Sequence, residues 1–189
     1  NSTSVAIGSQ SNASELGGVA LGGQALSSGV GAIAIGASSN IAGDFAVGLG
    51  SGTIASDNAV ALGVSALATA ENAVAIGNTA IASSDRAAAI GESAFASGES
   101  SLALGTTSNA SAFGSVALGS GSVADIVNTV SVGSTGNERR IVNVADGVNA
   151  TDAVSKAQLD AVVLSGGGIT LAQLDAVEAQ VISNDGDIA

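Results

Sequence analysis

Carboxylates supply most of the titratable chemistry in this sequence. Sixteen acidic residues stand against four basic ones, and histidine, cysteine and tyrosine are absent. Two carboxylates can act together as general acid and base, but no pair of acids here is spaced in a way that predicts a shared pocket. Without thiols or imidazoles the chain has no cysteine nucleophile, no histidine base and no Cys/His metal site. The sequence therefore predicts a protein that is not an enzyme and needs no cofactor.

The net charge of −12 argues against the partners that basic proteins bind. The four basic residues are Arg86, Arg139, Arg140 and Lys156. Nucleic-acid binding needs clustered Lys and Arg to neutralise phosphates. We therefore expect no nucleic-acid partner and no electrostatic binding to anionic lipid. The sequence contains no run of 18 apolar residues, so we also expect no direct membrane insertion by this chain. It begins inside a repeat, and we expect it to be a fragment of a longer protein.

The elements that carry these charges repeat along the chain at a fixed interval. Ten glycines mark the repeat: Gly8, Gly22, Gly36, Gly50, Gly63, Gly77, Gly91, Gly105, Gly119 and Gly133. Eight of the nine intervals are 14 residues, and the interval from Gly50 to Gly63 is 13. We call these residues the anchor glycines. Each ends an apolar–small–apolar triplet such as Val74-Ala75-Ile76, and this period-two alternation predicts a short strand.

A second apolar residue lies four places after most anchor glycines, as Ile81 does after Gly77; after Gly36 it falls five places on, at Ile41. Turn-forming Ser, Asn, Asp, Gly and Thr lie between the apolar positions. Each repeat thus predicts strand, turn, strand, turn. Fourteen residues are too few for a βαβ crossover but suffice for one coil of a narrow parallel solenoid, with coils about 4.7–4.9 Å apart. We expect the residue missing from the short coil to be missing from a turn.

Packing follows from the same pattern. We expect the Val, Ile and Leu of each triplet to form the core and the middle Ala, such as Ala75, to lie on the opposite face, against a closely packed second sheet. A coil offers about three large apolar side chains, each contributing roughly 1.5–3 kcal/mol when buried. Ordering each residue costs about 1–2 kcal/mol. For a single coil, the free energy gained by apolar burial therefore barely matches the entropy cost of ordering. Further burial through self-association is predicted.

The composition changes after Gly133. Residues 141–147 predict a short strand and a turn, and Thr151 or Asp152 is the expected N-cap of a following helix. Residues 165–168 (Ser-Gly-Gly-Gly) break that helix. Beyond them, apolar residues spaced three and four apart predict a coiled-coil seam. The seam consists of Leu174, Val177, Val181 and Ile188, with Asn184 as its polar exception.

These motifs in this order resemble the trimeric autotransporter adhesins of Gram-negative bacteria. The repeats "SVAIG", "AVAIG" and "SVALG" are similar to the YadA-like head, and "SVGSTGNERRIVNVADGVNATDAVSKAQL" is similar to the neck. The resemblance implies a mainly β fold, a left-handed parallel β-roll in a homotrimer, followed by a neck and a short α-helical trimeric coiled coil. It divides the chain into a head (1–127), a neck (128–165) and the start of the stalk (166–189).

The family resemblance also implies a function. It predicts a surface-exposed adhesin that binds collagen, fibronectin, laminin, host cells or surfaces and promotes autoagglutination and biofilm. It places the protein on the bacterial cell surface, anchored in the outer membrane through a part absent from this chain. The alternative is a purely structural spacer within a trimeric surface fibre. An ice-binding solenoid would need a regular Thr array, and a calcium-binding solenoid a G-G-x-G-x-D repeat, and neither occurs.

The resemblance also suggests site residues. Repeats of the type NSVAIG-x-x-S are tied to collagen binding in one such adhesin, and the nearest matches here carry Asn58, Val60 and Leu62, and Asn72, Val74 and Ile76. Asparagines in family stalks hold chloride on the trimer axis. Asn184 is the corresponding candidate, although Asp185 replaces the family's Thr beside it and disfavours an anion. Arg139 and Arg140 are predicted to make inter-chain neck contacts. Since the repeated apolar residues are expected in the core, the variable turns are the expected ligand contacts.

Overall fold

The computed structural model describes residues 3–164, which form a parallel β-roll followed by a loop segment and one helix. The chain divides into two compact units, and the boundary lies between Arg139 and Arg140. The first unit contains every strand, and the second contains the helix. The parallel β-roll and the short helix confirm the mainly β, solenoid part of the predicted fold class, whereas the homotrimer and its coiled coil stay predictions.

The β-roll consists of two parallel sheets built from alternate strands. Strands are numbered along the chain. The first sheet has ten strands: β1 (Val5–Ile7), β3 (Val19–Leu21), β5 (Ile33–Ile35), β7 (Val47–Leu49), β9 (Val60–Leu62), β11 (Val74–Ile76), β13 (Ala88–Ile90), β15 (Leu102–Leu104), β17 (Val116–Leu118) and β19 (Val130–Ser131). The second sheet has nine: β2 (Asn12–Ala13), β4 (Leu26–Ser27), β6 (Asn40–Ile41), β8 (Ile54–Ala55), β10 (Leu67–Ala68), β12 (Ile81–Ala82), β14 (Phe95–Ala96), β16 (Asn109–Ala110) and β18 (Val123–Ala124).

The register of the sheets follows the sequence repeat. Val74 pairs with Ala88, which is 14 residues later. Across the short coil, Val47 pairs with Val60 and Ile54 pairs with Leu67, so both sheets keep their register. The missing residue therefore lies in the turn between β8 and β9, as predicted. A deletion within a strand would instead have moved every following side chain to the other face.

The interior of the β-roll is built from alanine, which corrects the predicted packing. Ala75 is fully buried, whereas Val74 and Ile76 on either side of it lie on the outer face and are half-buried. In every complete triplet from β3 to β17 the middle residue is likewise buried, and the two residues beside it are half-buried or exposed. The expectation that Val, Ile and Leu form the core is wrong because the two sheets of a 14-residue coil lie too close together for them. Side chains about the size of Ala or Ser therefore fill most positions between the sheets.

Polar side chains inside the roll are paired with neighbouring oxygens. Ser39 Oγ and Thr53 Oγ1 are 2.8 Å apart in adjacent coils. Ser27 Oγ donates to the carbonyl oxygen of Ala32 at 2.9 Å, and Ser115 Oγ donates to that of Ala124 at 3.1 Å. A small hydroxyl can therefore replace alanine in this core because its hydrogen bonds are satisfied inside.

Ile41 is the large exception in this core of small side chains. The sequence suggested that the outward apolar position slips to Ile41 in this coil. In the structure Asn40 keeps that outward position, pairing with Leu26 and Ile54, and Ile41 points inward and is fully buried. Gly48 makes the room: a Cβ added there would lie 2.2 Å from Ile41 Cδ1. Ile41 and Gly48 thus form a large–small pair that conserves the local volume.

Each complete coil turns through two residues with left-handed backbone conformation. One lies two places after the anchor glycine, as Thr79 does at φ 55°. The other lies two places before the next triplet, and Asn58 (φ 55°), Asn72 (φ 58°) and Arg86 (φ 58°) occupy it. We call this second position the left-handed corner. Glycine and asparagine adopt such a conformation with little strain, which explains why they recur there.

The second unit departs from two sequence predictions. Its helix α1 spans Lys156–Leu164, and its N-cap is Ser155, so the expected cap at Thr151 or Asp152 is wrong. Ser155 and Gln158 form a capping box: the Gln158 N–H donates to Ser155 Oγ, and the Ser155 N–H donates to Gln158 Oε1, each at 3.2 Å. Residues 141–147 form no strand in the described chain, because no neighbouring segment pairs with them.

Candidate binding surface

The residues of the predicted collagen-type motif lie on two adjacent coils of the head. Val60 and Leu62 lie on the outer face of β9, and Val74 and Ile76 lie on the outer face of β11, where all four are half-buried. Asn58 and Asn72 occupy left-handed corners just before these strands. The structure therefore gives the repeated asparagine a role in folding. Collagen contact by these residues stays a prediction.

A column of side chains next to the left-handed corner combines charge with exposure. It takes one residue from each of nine consecutive coils: Leu16, Val30, Asp44, Asp57, Glu71, Asp85, Glu99, Phe113 and Val127. We call this column the acidic edge. Its five central members are carboxylates from consecutive coils, all exposed, and its end members are apolar. Since stacked coils are about 4.7–4.9 Å apart, the carboxylates form a ladder of like charge.

Hydrogen bonds along the ladder fix the orientation of several carboxylates. Asp44 Oδ1 accepts from the Val30 N–H at 2.8 Å, and Asp57 Oδ1 accepts from the Asp44 N–H at 3.0 Å. Glu99 pairs with Arg86 of the preceding coil. Asp85 has no side-chain partner among the described residues. Several carboxylates of the ladder thus brace neighbouring coils, and all five, whether bracing or not, remain exposed to a ligand.

The acidic edge is not among the sites predicted from the sequence. The variable turns are the predicted ligand contacts, but no single column of residues within them is named. The sequence nevertheless contains the signal. Aligning the 14-residue repeats places Asp44, Glu71, Asp85 and Glu99 each eight residues after its own anchor glycine. Asp57 follows its own anchor by seven residues because its coil is one residue short.

Arg139 closes the C-terminal end of the β-roll within its own chain. Its guanidinium donates to Ser122 Oγ at 2.8 Å, to the Val132 carbonyl at 2.7 Å and to the Ser120 carbonyl. These bonds satisfy oxygens of the last coils, where no further coil stacks. Arg140 is exposed and makes no hydrogen bond or ion pair within residues 3–164. The inter-chain contacts predicted for both arginines stay predictions.

A loop before α1 is held by a carboxylate. Asp152 Oδ2 accepts from the N–H groups of Val148 at 3.0 Å and Asn149 at 2.9 Å. The hydrogen bonds from the backbone of Asn149 and then Val148 hold the pKa of Asp152 below its ordinary value. Because these bonds favour the charged form, the carboxylate supports the loop while it is ionised.

This loop is expected to lose its order in acid. A carboxyl whose pKa is lowered by folding adds stability above its unfolded pKa, and that stability is lost as the pH falls through its folded pKa. The backbone amide shifts of Val148 and Asn149, followed by NMR, should therefore titrate together with a midpoint below the ordinary aspartate value of about 3.9. Asp152→Asn should abolish that titration. A midpoint at or above the ordinary value would contradict the assigned role of Asp152.

Several predicted features lie outside the described residues. The coiled-coil seam (Leu174, Val177, Val181 and Ile188) and the chloride candidate Asn184 fall in this part of the chain, so they stay predictions. Within residues 3–164, no cluster of three or more acidic, histidine or cysteine side chains is arranged to hold a metal ion. The helix in that range is too short and too polar to cross a membrane.

Family models match most of the chain. Residues 2–25, 16–39, 55–80, 82–108 and 110–135 match the model described as the YadA head domain repeat. Residues 140–165 match the model described as the coiled stalk of trimeric autotransporter adhesin. The head model thus covers most of the β-roll, apart mainly from residues 40–54, and the stalk model covers the described helix and the loop before it.

A solved structure shares the fold. The crystal structure of the collagen-binding domain of the Yersinia adhesin YadA superposes with a TM-score of 0.79 at 31% sequence identity. The match covers 87% of this chain and 99% of that one. No curated protein sequence gives a significant match.

Proposed function

Because the chain belongs to the trimeric autotransporter adhesins with a YadA-like head, we propose that it acts as a homotrimer at the bacterial cell surface and binds collagen-type matrix. An adhesin role follows from the family. The trimer, the collagen ligand and the surface that contacts it are the proposal. The single observation that carries the ligand is the likeness of the whole β-roll to a collagen-binding head.

The outer faces of the roll support the trimer. The first sheet presents two parallel rows of Val, Ile and Leu, and members such as Ile35, Leu49 and Leu118 are exposed in the single chain. The second sheet presents another row, in which Ile54 and Phe95 are exposed. Monomeric proteins rarely expose continuous apolar surfaces of this extent. A second and a third copy of the chain would cover them.

Threefold symmetry suits two different apolar faces on one chain. In a ring the contacts are heterologous, so one surface of each chain packs against a different surface of its neighbour. The first and second sheets supply two such surfaces. The second unit also leaves large apolar side chains uncovered: Ile141, Val148 and Val154 are 70%, 88% and 67% exposed. Burial of these side chains between chains would join the necks.

The proposal is tested by the mass and the binding of the purified chain. Light scattering should give three times the mass of one chain, and the trimer should bind immobilised collagen saturably. Fibronectin, laminin and host cells form parallel arms, and autoagglutination of bacteria displaying the protein tests cell-to-cell contact. A monomer would contradict the assembly. A trimer that binds none of these ligands would contradict matrix binding and favour the structural spacer.

A further inference from the structure

Phe45 is an aromatic residue at a position that favours glycine or asparagine. It occupies the left-handed corner of its coil with φ 56°, whereas the two preceding coils have Gly17 and Gly31 there and the next two have Asn58 and Asn72. A bulky side chain is strained in this conformation. The residue is 66% exposed, so burial does not compensate the strain. Neither the coil geometry nor the core accounts for a phenylalanine at this place.

Two apolar side chains extend the exposed surface of Phe45. The Phe45 N–H donates to the Val30 carbonyl at 2.8 Å, and the Gly31 N–H donates to the Leu16 carbonyl at 2.8 Å, so three consecutive coils meet here. The ring lies over Gly31, where an added Cβ would be 3.2 Å from Phe45 Cδ1. Leu16 is 57% exposed. We call Leu16, Val30 and Phe45 the Phe45 patch; it spans two coil spacings, about 10 Å.

The charges beside the patch indicate that it faces solvent in the assembly. Asp44 and Asp57 continue the column that contains Leu16 and Val30, and three further carboxylates follow. Burying this ladder against another chain would desolvate five carboxylates per chain, with Arg86 as the only basic residue of the head. Such burial is strongly unfavourable without matching cations. In the proposed trimer the apolar sheet faces would therefore form the contacts between chains, and the acidic edge with its patch would stay outside.

We propose that the Phe45 patch, together with Asp44 and Asp57, is the surface on which a collagen-type triple helix docks; this inference rests on the proposed matrix-binding function. A triple helix presents proline rings along its length, which an exposed phenyl ring can cover, and its lysine and arginine side chains complement the carboxylates. An aromatic anchor beside complementary charge is the composition of a binding hot spot. The strain at Phe45 is then retained for binding.

Phe45→Gly in the full chain tests the proposal without threatening the fold. Glycine occupies the same corner in neighbouring coils, so the variant should stay trimeric by light scattering and melt at the same temperature or higher. Its affinity for immobilised type I collagen should fall about thirtyfold, as expected when a hot-spot aromatic is removed. Asn128→Gly also places glycine at a left-handed corner, six coils away, and is the matched control; it should bind like the wild type.

A second variant tests the charge. Asp57→Asn keeps an oxygen that can accept from the Asp44 N–H, so the corner should remain braced. Binding should weaken several-fold and depend less on salt. If the wild-type trimer binds collagen and Phe45→Gly binds equally well, the docking surface is wrong while the proposed function stands. If the wild-type trimer does not bind collagen, both are overturned.

Discussion

Replacing Gly77 with alanine is expected to disrupt the stacking of the β-roll. Gly77 has φ +136°, a conformation that side-chain-bearing residues rarely adopt. A Cβ there would lie 2.3 Å from the carbonyl oxygen of Gly91 and 2.6 Å from its carbonyl carbon. Both atoms belong to the backbone of the next coil, so no rotamer change relieves the overlap. Strain and overlap together should cost at least about 4 kcal/mol per chain.

Chemical denaturation of the full chain, followed by circular dichroism, measures this effect. Gly77→Ala should either fail to give strand signal or lose it at a much lower denaturant concentration. Asn78→Ala is the matched control, because Asn78 is the exposed next residue and its replacement should change the free energy of unfolding by less than about 0.5 kcal/mol. A wild-type midpoint for Gly77→Ala would mean that the coils do not approach each other as closely as the structure shows.

The 14-residue glycine repeat is therefore explained by contact between coils. A Cβ added at Gly63, Gly77 or Gly91 would lie only 2.3–2.5 Å from the nearest backbone atom of the anchor glycine in the next coil. The repeat recurs because every coil must pass its neighbour in the same way. The repeated triplets thus reflect the stacking of coils. Residues that differ between coils are not constrained by stacking and can serve function.

Sequence periodicity was sufficient to predict the strands of the β-roll, their parallel register and the position of the one-residue deletion. It did not identify the inner face of each strand. Alternation along Val74-Ala75-Ile76 marks two faces, and which one is buried depends on the distance between the sheets. That distance is set by the tight turns of a 14-residue coil and is not visible in a single triplet. The larger side chains consequently lie outside, which strengthens the argument for assembly.

The helix start shows a different limit. Thr151, Asp152 and Ser155 all have side chains that suit an N-cap, so residue type alone does not choose among them. Gln158, three residues after Ser155, completes a capping box, whereas Asp152 is engaged by the preceding loop. The Ser-x-x-Gln spacing was present in the sequence and favoured Ser155. The acidic edge was likewise visible only after the repeats were aligned position by position.

The second large effect on stability is expected at Ile41 and Gly48, because the two residues share one volume in the core. Gly48→Ala alone should destabilise the roll by about 1–3 kcal/mol through overpacking, because its Cβ would meet Ile41 Cδ1 at 2.2 Å and Thr53 Oγ1 at 2.8 Å. Ile41→Ala alone should cost about 2–5 kcal/mol through the cavity it leaves. Thr53 is buried as well, so it offers little room for adjustment.

The double variant Ile41→Ala/Gly48→Ala should lose less stability than the sum of the two single-variant costs. Its coil would carry alanine at both inner positions, as the next coil does with Ala55 and Ala61, so the new Cβ fills space that the isoleucine vacates. A double-mutant cycle of unfolding free energies should show a favourable coupling of at least about 1 kcal/mol. The control combines Ile41→Ala with Ala61→Gly. This second change removes a Cβ from the next coil, so it cannot fill the space that Ile41 vacates. Strictly additive costs for Ile41 and Gly48 would show that the two positions do not share one volume, and the large–small pairing would then be wrong.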